Sequence, residues 1–254
     1  LEALSTLPSN GIAGNNLAVA GDESVLWLRT PSWVLEASQP GIGEQIGSWV
    51  WPTNNSAAFT RMRNGDVLAS GWGATTIGGV AVNGMARWNP ATQTWSAFAP
   101  VGNPSVTTTV TSLLETRDGS VWALASIPAA TTIWRWDAAT GAWAERDHGI
   151  DGLDTHMAEA PDGDILVVGG LNDGSNGRYV TRWDAQTGVW QRYPNLETTS
   201  TAGTRGLHVG PDGSIFVAAF LPEGFVFRYN PTTQAWDSLL TASGTLSEIS
   251  SMPN

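Results

Sequence analysis

The chain has 254 residues, a net charge of −11 and a pI near 4.5, with 41% hydrophobic and only 14% charged residues. That is ample apolar material for a packed core in one domain; the 12 basic residues are all Arg and form no positive cluster, which argues against nucleic acid and anionic membranes. The absence of Cys excludes disulfides, thiolate catalysis and Cys-ligated metals, and no apolar run approaches the roughly 20 residues that span a bilayer.

Residues 1–8 read as an isolated strand of the kind that ends a repeat. The chain opens at Leu1 without a charged n-region, so a mature product or a trimmed piece whose targeting segment is gone is expected. A first repeat near residues 9–56 carries a degenerate turn at Gly21-Asp22-Glu23 before Val25. A second, near 57–108, begins with Asn64-Gly65 before Val67 and ends with Arg87-Trp88-Asn89-Pro90 and Trp95. Its Gly-rich 71–84 stretch reads as a long connection rather than a phosphate cradle. A third, near 109–153, has Asp118-Gly119 before Val121, then Arg135-Trp136-Asp137 and Trp143. A fourth, near 154–203, has Pro161-Asp162-Gly163 before Ile165, then Arg182-Trp183-Asp184 and Trp190. A fifth, near 204–246, has Pro211-Asp212-Gly213 before Ile215, then Arg228-Tyr229-Asn230 and Trp236. Residues 247–254 read as one extra inner strand.

The Arg residues of the second unit recur at spacings of 48, 47 and 46 residues. Asn-Gly and Asp-Gly between apolar runs signal hairpins whose central residues tolerate positive φ. The Asn/Asp-x-x-Thr units are type I turn chemistry, with an aromatic on each flanking strand. Each repeat therefore predicts four strands, A to D, with no helical period anywhere. Four strands repeated every 42 to 54 residues imply an all-β propeller. Strand B starts near Val25, Val67, Val121, Ile165 and Ile215 give about five blades, and the extra terminal strands leave six as the alternative.

Segment 63–98 resembles bacterial extracellular repeats of the Kelch and cortical-marker type. The Pro-Asp-Gly copies resemble the propellers of streptogramin lyases and two-component regulator sensors. Both resemblances imply a propeller; neither fixes a chemistry.

Candidate sites follow from registering strand A on its turn. Three residues before the Asp or Asn stand Arg61, Glu115 and Glu159 on adjacent blades. They read either as an ion network or as two acids sharing a proton or cation. His156 and His208 lie on strand A of blades four and five. A His–Glu site there is what the streptogramin lyase resemblance implies. The row seven residues before the turn is Asn15, Ala57, Thr111, Thr155 and Arg205. Lactone-hydrolysing propellers need acid and amide ligands in that row, and only Asn15 fits. Asp173, in the acceptor-rich loop 171–177, is a candidate for Ca²⁺, and no other cofactor is expected. Trp33, Trp49, Trp51, Trp72 and Trp134 break the repeat register and could stack on sugar rings. The expected function is an extracellular or surface binding propeller for glycan or protein. The alternatives are a lyase- or hydrolase-like enzyme and a structural subunit of a larger assembly.

Overall fold

The computed structural model describes residues 12–19, 25–29, 34–39, 42–50, 57–71, 76–102, 109–127, 130–146, 152–171, 178–196, 204–219 and 225–241. Both terminal segments read as extra strands, 1–8 and 247–254, lie outside them.

All described regular structure is antiparallel strand. Blade one holds β1 (Ile12–Val19), β2 (Val25–Arg29), β3 (Val34–Gln39) and β4 (Ile42–Val50). Blade two holds β5 (Ala57–Arg61), β6 (Val67–Gly71), β9 (Met85–Asn89) and β10 (Thr94–Ala97), with a small hairpin, β7 (Thr76–Ile77) and β8 (Val80–Ala81), inserted between its second and third strands. Blade three is β11 (Thr109–Glu115), β12 (Val121–Ile127), β13 (Ala130–Asp137) and β14 (Ala142–Glu145). Blade four is β15 (Gly152–Glu159), β16 (Ile165–Leu171), β17 (Arg178–Asp184) and β18 (Val189–Arg192). Blade five is β19 (Thr204–Val209), β20 (Ile215–Ala219), β21 (Phe225–Asn230) and β22 (Ala235–Thr241). The five strands B begin at the residues expected from the repeat. Strands A of successive blades, β1, β5, β11, β15 and β19, pack side by side. Because the strands alternate in direction, the A–B and C–D turns share one end of every sheet. The B–C and D–A loops share the other.

The tight turns differ in one respect from expectation. Only the glycine of each Asn/Asp-Gly pair takes positive φ, for example Gly65 at 87°. The preceding Asn or Asp instead accepts a hydrogen bond through its side chain. Asn64 Oδ1 takes the Asp66 N–H at 3.0 Å, and Asp118 Oδ1 takes the Ser120 N–H at 2.9 Å. The turn is thus closed by an acceptor side chain plus one left-handed glycine, as in the three-residue hairpin loop. The C–D turns use the same device: Asp137 Oδ1 accepts from Ala139 N and Thr140 N. The Arg of strand C reaches back to brace the A–B turn. Arg87 pairs with Asp66, Arg182 with Asp162 and Asp164, and Arg228 Nη2 donates to Ser214 Oγ at 3.0 Å.

The Gly-rich stretch 71–84 is more than a connection. Its hairpin, turning at Gly78 and Gly79, adds to the edge of blade one by pairing Trp49 with Ile77. Trp95 packs against Gly78: a Cβ there would sit 2.1 Å from the indole, and its φ is +56°. Glycine is required at this point by both close approach and backbone conformation.

The core lies in the seams between blades. Leu68, Met85, Leu113 and Ala123 fill the seam of blades two and three. Leu124, Ile133, Ile165 and Val167 fill that of three and four. Leu166, Val180, Leu207 and Val217 fill that of four and five. Fully burying each large aliphatic side chain contributes about 1.5–3 kcal/mol. The seams also carry aromatic clusters of two kinds. Phe98 packs 4.6 Å from Trp136, and Trp143 Nε1 donates to Ala99 O at 2.9 Å. Tyr193, Tyr229 and Trp236 repeat the arrangement, with Trp236 Nε1 donating to Pro194 O at 2.8 Å. Between blades three and four the position of Phe98 and Tyr193 is held by Arg146. There Trp122, at a strand B position that is Leu68 and Leu166 in its neighbours, supplies the aromatic ring and packs 5.9 Å from Trp183.

Candidate functional site

Glu115 and Glu159 stand at the turn end of their strands A, and each reaches into the preceding blade. Glu115 Oε2 accepts the backbone N–H of Arg63 at 2.6 Å. Glu159 accepts the backbone N–H of Arg117 through both oxygens, at 2.9 and 3.0 Å. The guanidinium continues the link: Arg63 Nη1 donates to Arg117 O, and Arg117 Nη1 donates to Pro161 O at 2.8 Å. These are clasps between consecutive A–B turns. They stop where the sequence removes both halves: Pro161 has no N–H, and the residue facing it in blade five is Val209 rather than Glu. The two carboxylates thus have separate backbone partners in the seams. Arg61, at the same level in blade two, is half-buried.

The row of Asn15, Ala57, Thr111, Thr155 and Arg205 has a distinct backbone. In blades three, four and five the strand A–strand B pairing skips one residue, and the skipped residues are Thr111, Thr155 and Arg205. Such bulges re-aim a side chain and raise local twist. Blade two pairs regularly through Ala57, and the irregular stretch of β1 contains Asn15. Thr111 is exposed, and its hydroxyl donates to Leu124 O at 3.5 Å.

The two histidines lie on the equivalent face of their sheets, turned away from the preceding blade, but on different blades. Alternation puts His156 on the face of β15 that carries Ala158, which packs in the seam of blades four and five. His208 lies on the face of β19 opposite Leu207, and its ring stacks on Phe216 at 6.2 Å. Burial pushes the His208 imidazole below its ordinary value of 6.5. Trp134 is half-buried, donating through Nε1 to Thr132 Oγ1 at 2.7 Å. Trp49 sits on β4. Trp33, Trp51, Trp72 and Asp173 lie outside the described residues. Among the described residues, no three His, Asp or Glu side chains come together to hold a metal.

Two places escaped the sequence reading. Arg178 opens β17 at the loop end of blade four and is 7% exposed, with Gly170 leaving room for its guanidinium. Burial lowers its pKa from the ordinary arginine value. An Arg four residues before the repeat Arg182, where blade three has Thr131, was the available signal. The second is a pocket of about 410 Å³ at the turn end of blade three, lined by Asp118, Ser120, Arg135, Asp137, Ala144 and Arg146 among others. Burial raises the Asp118 carboxyl, but hydrogen bonds from Thr116 and Ser120 and the Arg135 charge outweigh it and hold it below the usual carboxylate value.

Five antiparallel sheets standing side by side on their first strands decide the architecture. The chain is a β-propeller of about five blades. The propeller is similar to a streptogramin B lyase, with 17% identity over 92% of this chain and 70% of that one, at a TM-score of 0.64. It is similar to virginiamycin B lyase from Staphylococcus aureus, with 14% identity over 91% and 71% of the two chains and a TM-score of 0.61. It also resembles the extracellular domain of a hybrid two-component system from B. thetaiotaomicron, with 10% identity over 95% of this chain and 35% of that one, at a TM-score of 0.57. No family model and no curated protein matches the propeller's sequence. At these identities the likeness is one of fold.

Proposed function

We propose that this propeller is a binding protein of the bacterial envelope or cell surface, with a glycan or a protein as its ligand, and that it does not act as an enzyme. The observation that supports the reading best is the engagement of Glu115 and Glu159 with backbone donors of the neighbouring blade. A carboxylate that accepts a backbone N–H in a seam is a structural acceptor; general acid–base work needs it within reach of a substrate proton. The low charge density and acid surface suit a soluble exported domain. The extracellular two-component domain and TolB from Acinetobacter baumannii, at a TM-score of 0.60, give the same direction for location.

The enzymatic alternative rests on His156 and His208 and on the lyase name of a structural neighbour. One experiment separates them. The purified chain is screened on a glycan array and, in parallel, incubated with a streptogramin B and divalent cations, with ring opening followed by mass spectrometry. Saturable binding without turnover supports the proposal. Turnover abolished by His156→Ala or His208→Ala overturns it.

A further inference from the structure

The pocket of blade three is the place where several departures from the repeat coincide. In blades two and four the strand C Arg is neutralised by acids: Arg87 by Asp66, and Arg182 by Asp162 and Asp164. In blade three, as in blade five, the residue two past the turn Asp is a serine, Ser120 here and Ser214 there. Arg135 therefore donates to Ser120 Oγ, at 3.2 Å from Nε and 2.6 Å from Nη2, and meets one carboxylate oxygen, of Asp118, at 3.3 Å. Its Nη1 has no hydrogen-bond partner among the described residues.

The strand D residue opposite this Arg is Ser96, Gln191 and Asp237 in blades two, four and five; in blade three it is Ala144, which leaves the groove floor open. Three residues after the closing Trp, where blades two and four place Phe98 and Tyr193, stands Arg146. Its backbone N–H donates to Ile133 O at 2.7 Å, as Phe98 and Tyr193 donate to Met85 O and Val180 O, so the site is equivalent. The Arg146 side chain makes one hydrogen bond among the described residues, from Nη1 to its neighbour Glu145 O at 3.1 Å. Blade three thus leaves one guanidinium with a single carboxylate contact, longer than those of blades two and four, empties the space opposite it and adds a second guanidinium, all in one groove of a chain with net charge −11.

We propose that this groove binds a carboxylate-bearing sugar, a uronic acid residue of an acidic glycan. Guanidinium groups hold carboxylates through paired, charge-assisted hydrogen bonds. Asp118 and Asp137 on the rim accept from sugar hydroxyls and repel the side chains of an acidic peptide, which carries no comparable donors. The volume of about 410 Å³ falls within the roughly 300–1,000 Å³ of small-ligand sites. The proposal goes beyond the binding reading by naming a place and a chemistry. A failure here leaves binding of another ligand elsewhere on the propeller untouched, whereas silence toward every glycan and protein sinks that reading itself.

The test is calorimetric titration of the full chain with trigalacturonate, its methyl ester and a short poly-glutamate peptide. Trigalacturonate binds and the methyl ester does not. Arg146→Gln weakens binding about tenfold or more, the scale of one lost charge-assisted contact. Ser120→Asp, which restores the pairing of blades two and four, does the same without lowering thermal stability, so the result does not depend on a damaged fold. Equal binding of the methyl ester, tighter binding of the peptide, no binding of trigalacturonate, or affinities within about twofold for both variants would overturn it.

Discussion

Removing the Glu159 side chain tests the clasp between blades three and four. Its carboxylate is 12% exposed and accepts the Arg117 N–H, with the Arg117 guanidinium 3.8 Å away. A hydrogen bond to a charged group contributes about 1.5–3 kcal/mol. The Arg117 turn is solvent-facing, so the released N–H rehydrates and the low end applies; the ion pair, with Arg117 56% exposed, adds little. Glu159→Ala should therefore cost about 1.5–2 kcal/mol, or about 3–8 °C in Tm for a domain of this size. The sequence supplies its own control, because the next seam replaces both partners by Pro161 and Val209. Arg117→Pro and Glu159→Val should each destabilise, and the double variant should lose about 1 kcal/mol less than their sum. Thermal melts followed by circular dichroism read the wild type and all four variants. An additive cycle, or a Glu159→Ala loss under about 0.5 kcal/mol, refutes the clasp.

Other consequences follow from the same geometry. Gly78→Ala forces a Cβ into the Trp95 ring at a left-handed backbone position and should cost about 2–4 kcal/mol in urea unfolding. Trp122→Leu recreates the residue of the neighbouring blades without their Phe98 or Tyr193; it should cost about 2–4 kcal/mol and alter the fluorescence of Trp183. Burial depresses the His208 pKa, so the folded chain binds fewer protons there than the unfolded chain. Its contribution to stability is present above the ordinary value of 6.5 and is lost as pH falls toward the depressed folded value. His208→Gln should flatten the Tm–pH curve in that window and leave it unchanged at alkaline pH.

The fold was legible because turn chemistry and aromatic spacing are local. Asp118-Gly119 and Asp137 state their turns within four residues, and the strand starts follow. The direction of a turn acceptor was less legible: Asn64 closes its turn by its side chain rather than by positive φ, and both solutions favour the same residues. The candidate site was legible only as a list of chemical types. Arg61, Glu115 and Glu159 do share a level, but which neighbour a carboxylate meets depends on seam geometry, which spacing does not encode. Arg146 and Ala144 carried a signal in plain sight, as breaks in the repeat; their meaning emerged once β13 and β14 placed them in one groove.

The two kinds of seam bear on how a chain of near-identical units finds its own order. Tandem repeats risk docking against the wrong copy while they fold. Blade three presents Trp122 and Arg146 to its successor, whereas blades two and four present Leu with Phe98 or Tyr193. A slip of one repeat therefore sets Leu68 and Phe98 against the face that natively takes Trp122 and Arg146, or Trp122 and Arg146 against the face that takes Tyr193. A slip of two satisfies the aromatics but sets the Arg63 clasp against Val209. Each mismatch is small, yet the two patterns have different periods along the chain, so a slip disturbs at least one of them.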